Sequence, residues 1–87
     1  MNKVYIQVDA KNRITAINSD QFIKNLNSWI YIDRGEGDKY LHAQNNYFRL
    51  PLITENGVYR YKYENNAIKE RSIKEITQDF LDISKNF

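Results

Sequence analysis

The sequence predicts a small α+β architecture, one domain spanning residues 1–87, and three patterns carry that expectation. Residues 3–8 alternate, with Val4, Ile6 and Val8 on one side and Tyr5 and Gln7 on the other, the period of a strand. Residues 58–63 alternate again, Tyr59, Tyr61 and Tyr63 against Val58, Arg60 and Lys62. Ser72 and Glu75 then fit a capping box, and Ile73, Ile76, Phe80, Ile83 and Phe87 follow at steps of 3, 4, 3 and 4. Strands at both ends of the chain and a helix after them give two β-hairpins, a central strand, one short helix and a C-terminal amphipathic helix packed on the sheet.

In chain order, the turn Asp9-Ala10-Lys11-Asn12 joins the first strand to a second over residues 13–17. Asn18, Ser19 and Asp20 read as a helix start, with Gln21 where a capping box places Glu or Gln, and Phe22, Ile23 and Leu26 as its apolar face. Trp29-Ile30-Tyr31-Ile32 is large on both sides and is expected to be a central or doubly covered strand. Residues 33–39 form a polar loop. Asn45-Asn46 suggests a turn or positive φ, and Glu55-Asn56-Gly57 a tight reversal. The strand at 58–63 turns at Glu64-Asn65-Asn66 and returns over 67–70. Whether the two hairpins share one sheet is left open by the sequence. The expected core is Val4, Ile6, Ile14, Phe22, Leu26, Trp29, Ile30, Ile32, Ile73, Ile76, Phe80 and Ile83.

Composition narrows function. Thirteen Lys and Arg against eleven Asp and Glu leave a formal charge of +2, too balanced for a dedicated nucleic-acid or membrane-surface binder. No cysteine is present, which removes disulfides, thiolate nucleophiles and Cys-based zinc sites, and the single histidine removes a His-only metal cluster. Aromatics at 14% argue for a folded chain. No apolar run approaches the roughly 20 residues that span a bilayer, and the start Met1-Asn2-Lys3-Val4 lacks a signal-peptide core, so a cytoplasmic beginning without membrane association is expected. A chain this short buries only about 60–65% of its unfolded surface, and oligomerisation is one remedy for such marginal stability.

Each candidate site has a plain alternative. Asp33, Glu36 and Asp38, flanked by Gly35 and Gly37, suggest a calcium loop, but they miss the EF-hand spacing and Arg34 and Lys39 dilute the charge; a solvent-facing loop is the simpler reading, with no metal. Tyr40 and His42 extend this loop into a candidate ligand site, and His42 with a loop carboxylate is the sole hint of a hydrolase. No Ser, Cys or second His completes that constellation, so no catalytic residue and no cofactor is assigned. Tyr59, Tyr61 and Tyr63 with Arg60 and Lys62 resemble strands that stack single-stranded nucleic acid, but the alternation separates rings from cations; a core or subunit-interface stripe is simpler, and glycan stacking on exposed Tyr is a third reading. The stripe Ile73, Ile76, Phe80, Ile83 and Phe87 either closes over the sheet of its own chain or forms a bundle with copies of itself. Two heptads give a seam of only about 20 Å, too short to hold an oligomer alone.

Several stretches resemble small proteins of the tail modules of phages and prophages of low-GC Gram-positive bacteria, and terminal segments of their tail-fibre or baseplate proteins. They are Ala16-Ile17-Asn18-Ser19-Asp20 with Phe22; Trp29-Ile30 with Ile32-Asp33; Gly35-Glu36-Gly37-Asp38-Lys39-Tyr40 with His42-Ala43-Gln44 and Asn46-Tyr47; Pro51-Leu52; Gly57-Val58-Tyr59-Arg60-Tyr61-Lys62; and Glu70-Arg71-Ser72. The glycine block is the most specific of these, and together they run from about residue 3 to residue 80. Asn45 stands where a glycine is common in such proteins, and asparagine tolerates the left-handed geometry better than most residues. The resemblance implies a non-enzymatic structural or interaction protein whose partners are other tail proteins or its own copies, made in the bacterial cytoplasm during phage assembly; whether it stays in the virion tail or acts only in assembly is left open by the sequence. It brings no catalytic residues. The alternative of a different class is a module binding cell-wall carbohydrate through exposed Tyr residues and the Gly35–Lys39 loop.

Overall fold

The computed structural model describes residues 1–85, so Phe87 lies outside the described residues. The chain is a small α+β domain. Strands β1 (Asn2–Val8), β2 (Ile14–Ser19) and β3 (Ile30–Gly35) form an antiparallel sheet in the order β2-β1-β3, and β4 (Tyr61–Glu64) pairs with β5 (Ala67–Glu70) in a second. Two one-turn helices, α1 (Asp38–Leu41) and α2 (Ala43–Asn46), precede the second sheet, and α3 (Ile73–Ser84) follows it.

The first hairpin forms for the reasons its sequence suggests. The Asp9 carboxylate accepts from the backbone N–H groups of Lys11 (2.9 Å) and Arg13 (3.0 Å), and Asn12 takes the left-handed conformation at φ 63°. Val4 and Ile6 of β1 and Ile14 and Ile17 of β2 are buried together. The second hairpin turns on Asn65 and Asn66, both left-handed, the conformation a two-residue hairpin loop requires. The hairpins occupy separate sheets. One bridge between Arg13 and Lys62, and the Tyr63 N–H donating to the Asn12 carbonyl at 2.9 Å, join them.

Five local expectations are corrected. The helix expected from Asn18 does not form: β2 continues to Ser19, paired with Val4, and only a 3-10 turn, Asp20–Phe22, follows. The Asn18 side chain accepts from the Ser19 N–H, and the buried Ser19 hydroxyl donates to the Leu41 carbonyl at 2.8 Å, so neither side chain caps a helix. Phe22 and Leu26, expected in the core, are 55% and 42% exposed. The strand after Trp29 lies at the sheet edge and β1 is central, with Trp29 half-buried just outside β3. The segment 33–39 is strand through Gly35 and helix from Asp38. Asn45 and Asn46 are helical, and the left-handed asparagines are Asn12, Asn65 and Asn66.

Gly35 is where the chain needs the absence of a side chain, because a Cβ there would overlap the Tyr40 ring. That close approach lets Tyr40 cover the edge of β3. The core comprises Val4, Ile6, Ile14, Ile17, Ala43 and Tyr61, covered by half-buried residues that include Ile30, Ile32, Tyr47 and Phe48. Tyr61 is 5% exposed. Its ring stacks on Phe48 with centroids 3.9 Å apart, and its hydroxyl donates to the Leu50 carbonyl (3.1 Å) while accepting from the Leu50 N–H (3.3 Å). Among the described residues no side chain of α3 joins this core. Ile17, Ala43, Val58 and Tyr61 are buried residues absent from the expected set, whereas Ile73, Phe80 and Ile83, which belong to it, are exposed and Ile76 is half-buried.

Candidate interaction surface

Helix α3 starts as expected: the Ser72 hydroxyl accepts from the Glu75 N–H at 3.1 Å, and the Glu75 carboxylate accepts from the Ser72 N–H at 3.2 Å. Its orientation is the unexpected feature. The side facing the sheets is charged. The Asp79 carboxylate, in a residue 9% exposed, accepts from Arg71 at 2.7 Å and Arg13 at 2.9 Å. Glu75 accepts from Lys62 at 2.9 Å. Arg13 also pairs with Asp9 at 2.6 Å, and the Arg71 guanidinium donates to the Tyr59 carbonyl at 2.8 Å.

A spacing of four keeps residues 71, 75 and 79 near one line, and at 100° per residue the apolar stripe lies roughly 80–160° round the helix from it. Ile73 is therefore 85% exposed, Leu81 48%, and Phe80 and Ile83 40% each. Ile76, in the first half of the helix, is half-buried. A helix that docks through ion pairs and shows its aliphatic residues to solvent presents an apolar strip bordered by the neutral side chains of Thr77 and Ser84. Such strips mark association surfaces when they are continuous. The strip was legible as a heptad pattern; its outward direction was not, because the cations that draw Glu75 and Asp79 inward lie on other elements.

The hydrogen bond from Lys62, with that of the Ser72 N–H, holds the Glu75 carboxyl below its ordinary pKa. The bond from Arg71, then that from Arg13, does the same for Asp79. A depressed carboxyl contributes stability that is complete above the unfolded value of about 4 and is lost as pH falls through the lower folded value. The melting temperature is therefore expected to fall between about pH 5 and pH 3, with a shallower fall in Asp79→Asn, measured by circular dichroism melts across that range.

Of the two readings of the tyrosine stripe, core or subunit interface, the structure takes Tyr61 to the core. Tyr61 is core, Tyr63 packs against that core, and Tyr59 is half-buried with the Arg13 guanidinium 5.9 Å from its ring centroid. The alternating cations are engaged too, Lys62 with Glu75 and the Arg60 guanidinium with the Pro51 carbonyl at 2.9 Å.

The loop residues do not converge. Asp33 accepts from the Tyr47 hydroxyl at 2.9 Å, and burial followed by that hydrogen bond pushes the Tyr47 hydroxyl well above its usual range. Tyr40 packs over Gly35 and meets Tyr47 edge-on at 6.1 Å. Glu36, Asp38 and His42 are exposed, and His42 stacks on Phe22 with centroids 5.9 Å apart. Among the described residues no group of three His, Cys, Asp or Glu side chains is placed to hold a metal ion. His42 and Phe22 border a shallow cavity of about 290 Å³ with Asn18, Gln44 and Asn45. A second, of about 430 Å³, runs along residues 48–53. No helix among the described residues is long and apolar enough to cross a membrane.

No family model, no curated protein and no solved structure matches the chain.

Proposed function

We propose that the chain is a non-enzymatic interaction protein of a phage or prophage tail module, a tail-fibre or baseplate accessory, acting by self-association or by docking to another tail protein through α3. The observation that carries the mode of action is the apolar stripe of exposed Ile73, Phe80 and Ile83 with half-buried Ile76, on a helix that turns Glu75 and Asp79 inward to ion pairs. The tail-module setting comes from the sequence resemblance, which implies a protein made in the bacterial cytoplasm that acts in assembly or in the virion tail.

A copy of the chain is the simplest occupant of the stripe. Its spacing of 3, 4 and 3 reads the same in both directions, so an antiparallel pair brings Ile73 of each copy opposite Ile83 of the other, and Ile76 opposite Phe80. Such a pair also opposes the two helix dipoles favourably. Sedimentation across concentration is expected to show reversible assembly into a closed symmetric oligomer. A strict monomer at millimolar concentration would remove self-association.

Glycan binding is the second reading, and one observation favours it at a place other than the tyrosine stripe. The Phe22–His42 stack offers aromatic surface beside the amides of Asn18, Gln44 and Asn45. Amides supply both donors and acceptors to a sugar's hydroxyls. Titration with cell-wall saccharides, followed by the His42 ring signals in NMR, tests it; unchanged signals at millimolar sugar would end it.

A further inference from the structure

We infer that α3 is a releasable strap, which undocks from the two sheets as a unit by hinging at Ser72 while the core stays folded. The inference concerns how α3 is held and does not depend on the tail-module reading.

Two features carry it. The first is the division of the docking surface. Every cation that pairs across it belongs to the body of the protein: Arg13 just before β2, Lys62 in β4, and Arg71. Arg71 precedes α3 but is fixed to the sheet, its N–H donating to the Arg60 carbonyl at 2.8 Å and its guanidinium to the Tyr59 carbonyl at 2.8 Å. Everything α3 contributes to those ion pairs is anionic, Glu75 and Asp79. Ser72, extended at φ −66° and ψ 159°, is the joint between the fixed Arg71 and the first helical residue. Asp9 and Glu64 also face the cations, Asp9 on Arg13 at 2.6 Å and Glu64 on Lys62 at 3.6 Å, so those two keep a carboxylate partner when the helix leaves.

The second feature is how little of α3 reaches the apolar core, Ile76 alone of its stripe being half-buried. Among the described residues no α3 side chain enters the core, and a shallow cavity of about 310 Å³ opens along the docking line beside Arg71, Lys74, Glu75, Gln78 and Asp79. Of the three closest ion pairs that hold α3, Arg13–Asp79 and Lys62–Glu75 are partly exposed and only Arg71–Asp79 is buried; partly exposed pairs contribute little individually and weaken in salt, whereas the core that holds β1, β2 and β3 does neither. The local opening free energy of α3 therefore lies well below that of the sheets. Release exposes Arg13, Lys62 and Arg71 and frees the apolar stripe to turn wholly toward a partner. A detached helix of 12 residues is marginal in water, so release is visible as amide exchange.

Hydrogen exchange by mass spectrometry on the full chain tests this at neutral pH. Raising salt to about 1 M is expected to speed exchange of the α3 amides by about tenfold while the β1 amides are unchanged. Asp79→Asn in low salt is expected to do the same. The inference is overturned if α3 and β1 exchange at one common rate in the wild type, or if salt or the substitution accelerates both by the same factor.

Discussion

Tyr61→Ala is expected to leave the chain largely unfolded at 37 °C. Tyr61 fills the centre of the core, stacks on Phe48 and holds residue 50 through both backbone groups. Truncating a buried aromatic costs about 3–5 kcal/mol. A chain of this size has roughly 4–13 kcal/mol in all, so the loss consumes much of the total. Tyr61→Phe separates the two contributions: the ring stays, the Leu50 N–H and carbonyl lose their partner, and the cost is about 1–2 kcal/mol. Urea unfolding of the three proteins measures both steps. If Tyr61→Ala kept wild-type stability and lost only assembly, Tyr61 would be the interface residue that its alternation with Arg60 and Lys62 first suggested.

Ile6→Ala is expected to cost about 3–4 kcal/mol, because Ile6 is fully inaccessible on the central strand and the sheet cannot close around the void. Its midpoint in urea should fall with an unchanged slope, since the same surface is exposed on unfolding.

These two residues show how unevenly the fold was legible. Ile6 was readable because its neighbours Val4 and Val8 alternate with polar residues, and a strand with one wet face announces itself by that period. The hairpin turns were readable through Asn12 and through Asn65-Asn66, whose side chains tolerate left-handed backbone. Tyr61 was placed on the correct strand, but its burial depends on Phe48 and Leu50, ten or more residues away in a segment without period, and no local pattern reports such a partner. Asn18 and Ser19 failed for the opposite reason. Both are good caps, yet pairing of β2 with β1 satisfies the same backbone groups, and tertiary pairing outweighs a local preference.

The candidate site divides in the same way. Ile73, Ile76, Phe80 and Ile83 were identified as a stripe from spacing alone. Which way the stripe points was decided by Arg13 and Lys62, cations 60 and 10 residues or more from the helix positions they meet, Asp79 and Glu75. A helix's apolar side normally faces inward because burial of each aliphatic residue contributes about 2 kcal/mol. Here two carboxylates that turn inward find three cations waiting, and the aliphatic side is left at the surface.

That orientation is the claim on which the functional reading stands, and the doubly substituted Ile73→Gln, Phe80→Gln chain tests it most directly. Its urea midpoint at low micromolar concentration, where sedimentation shows monomer, is to be compared with the wild type under the same conditions. An outward stripe predicts stability within about 0.5 kcal/mol of wild type, with assembly at high concentration abolished. A loss of about 4 kcal/mol or more in the monomer, the cost of truncating two core side chains, would mean that the stripe packs inside its own chain and would contradict the account.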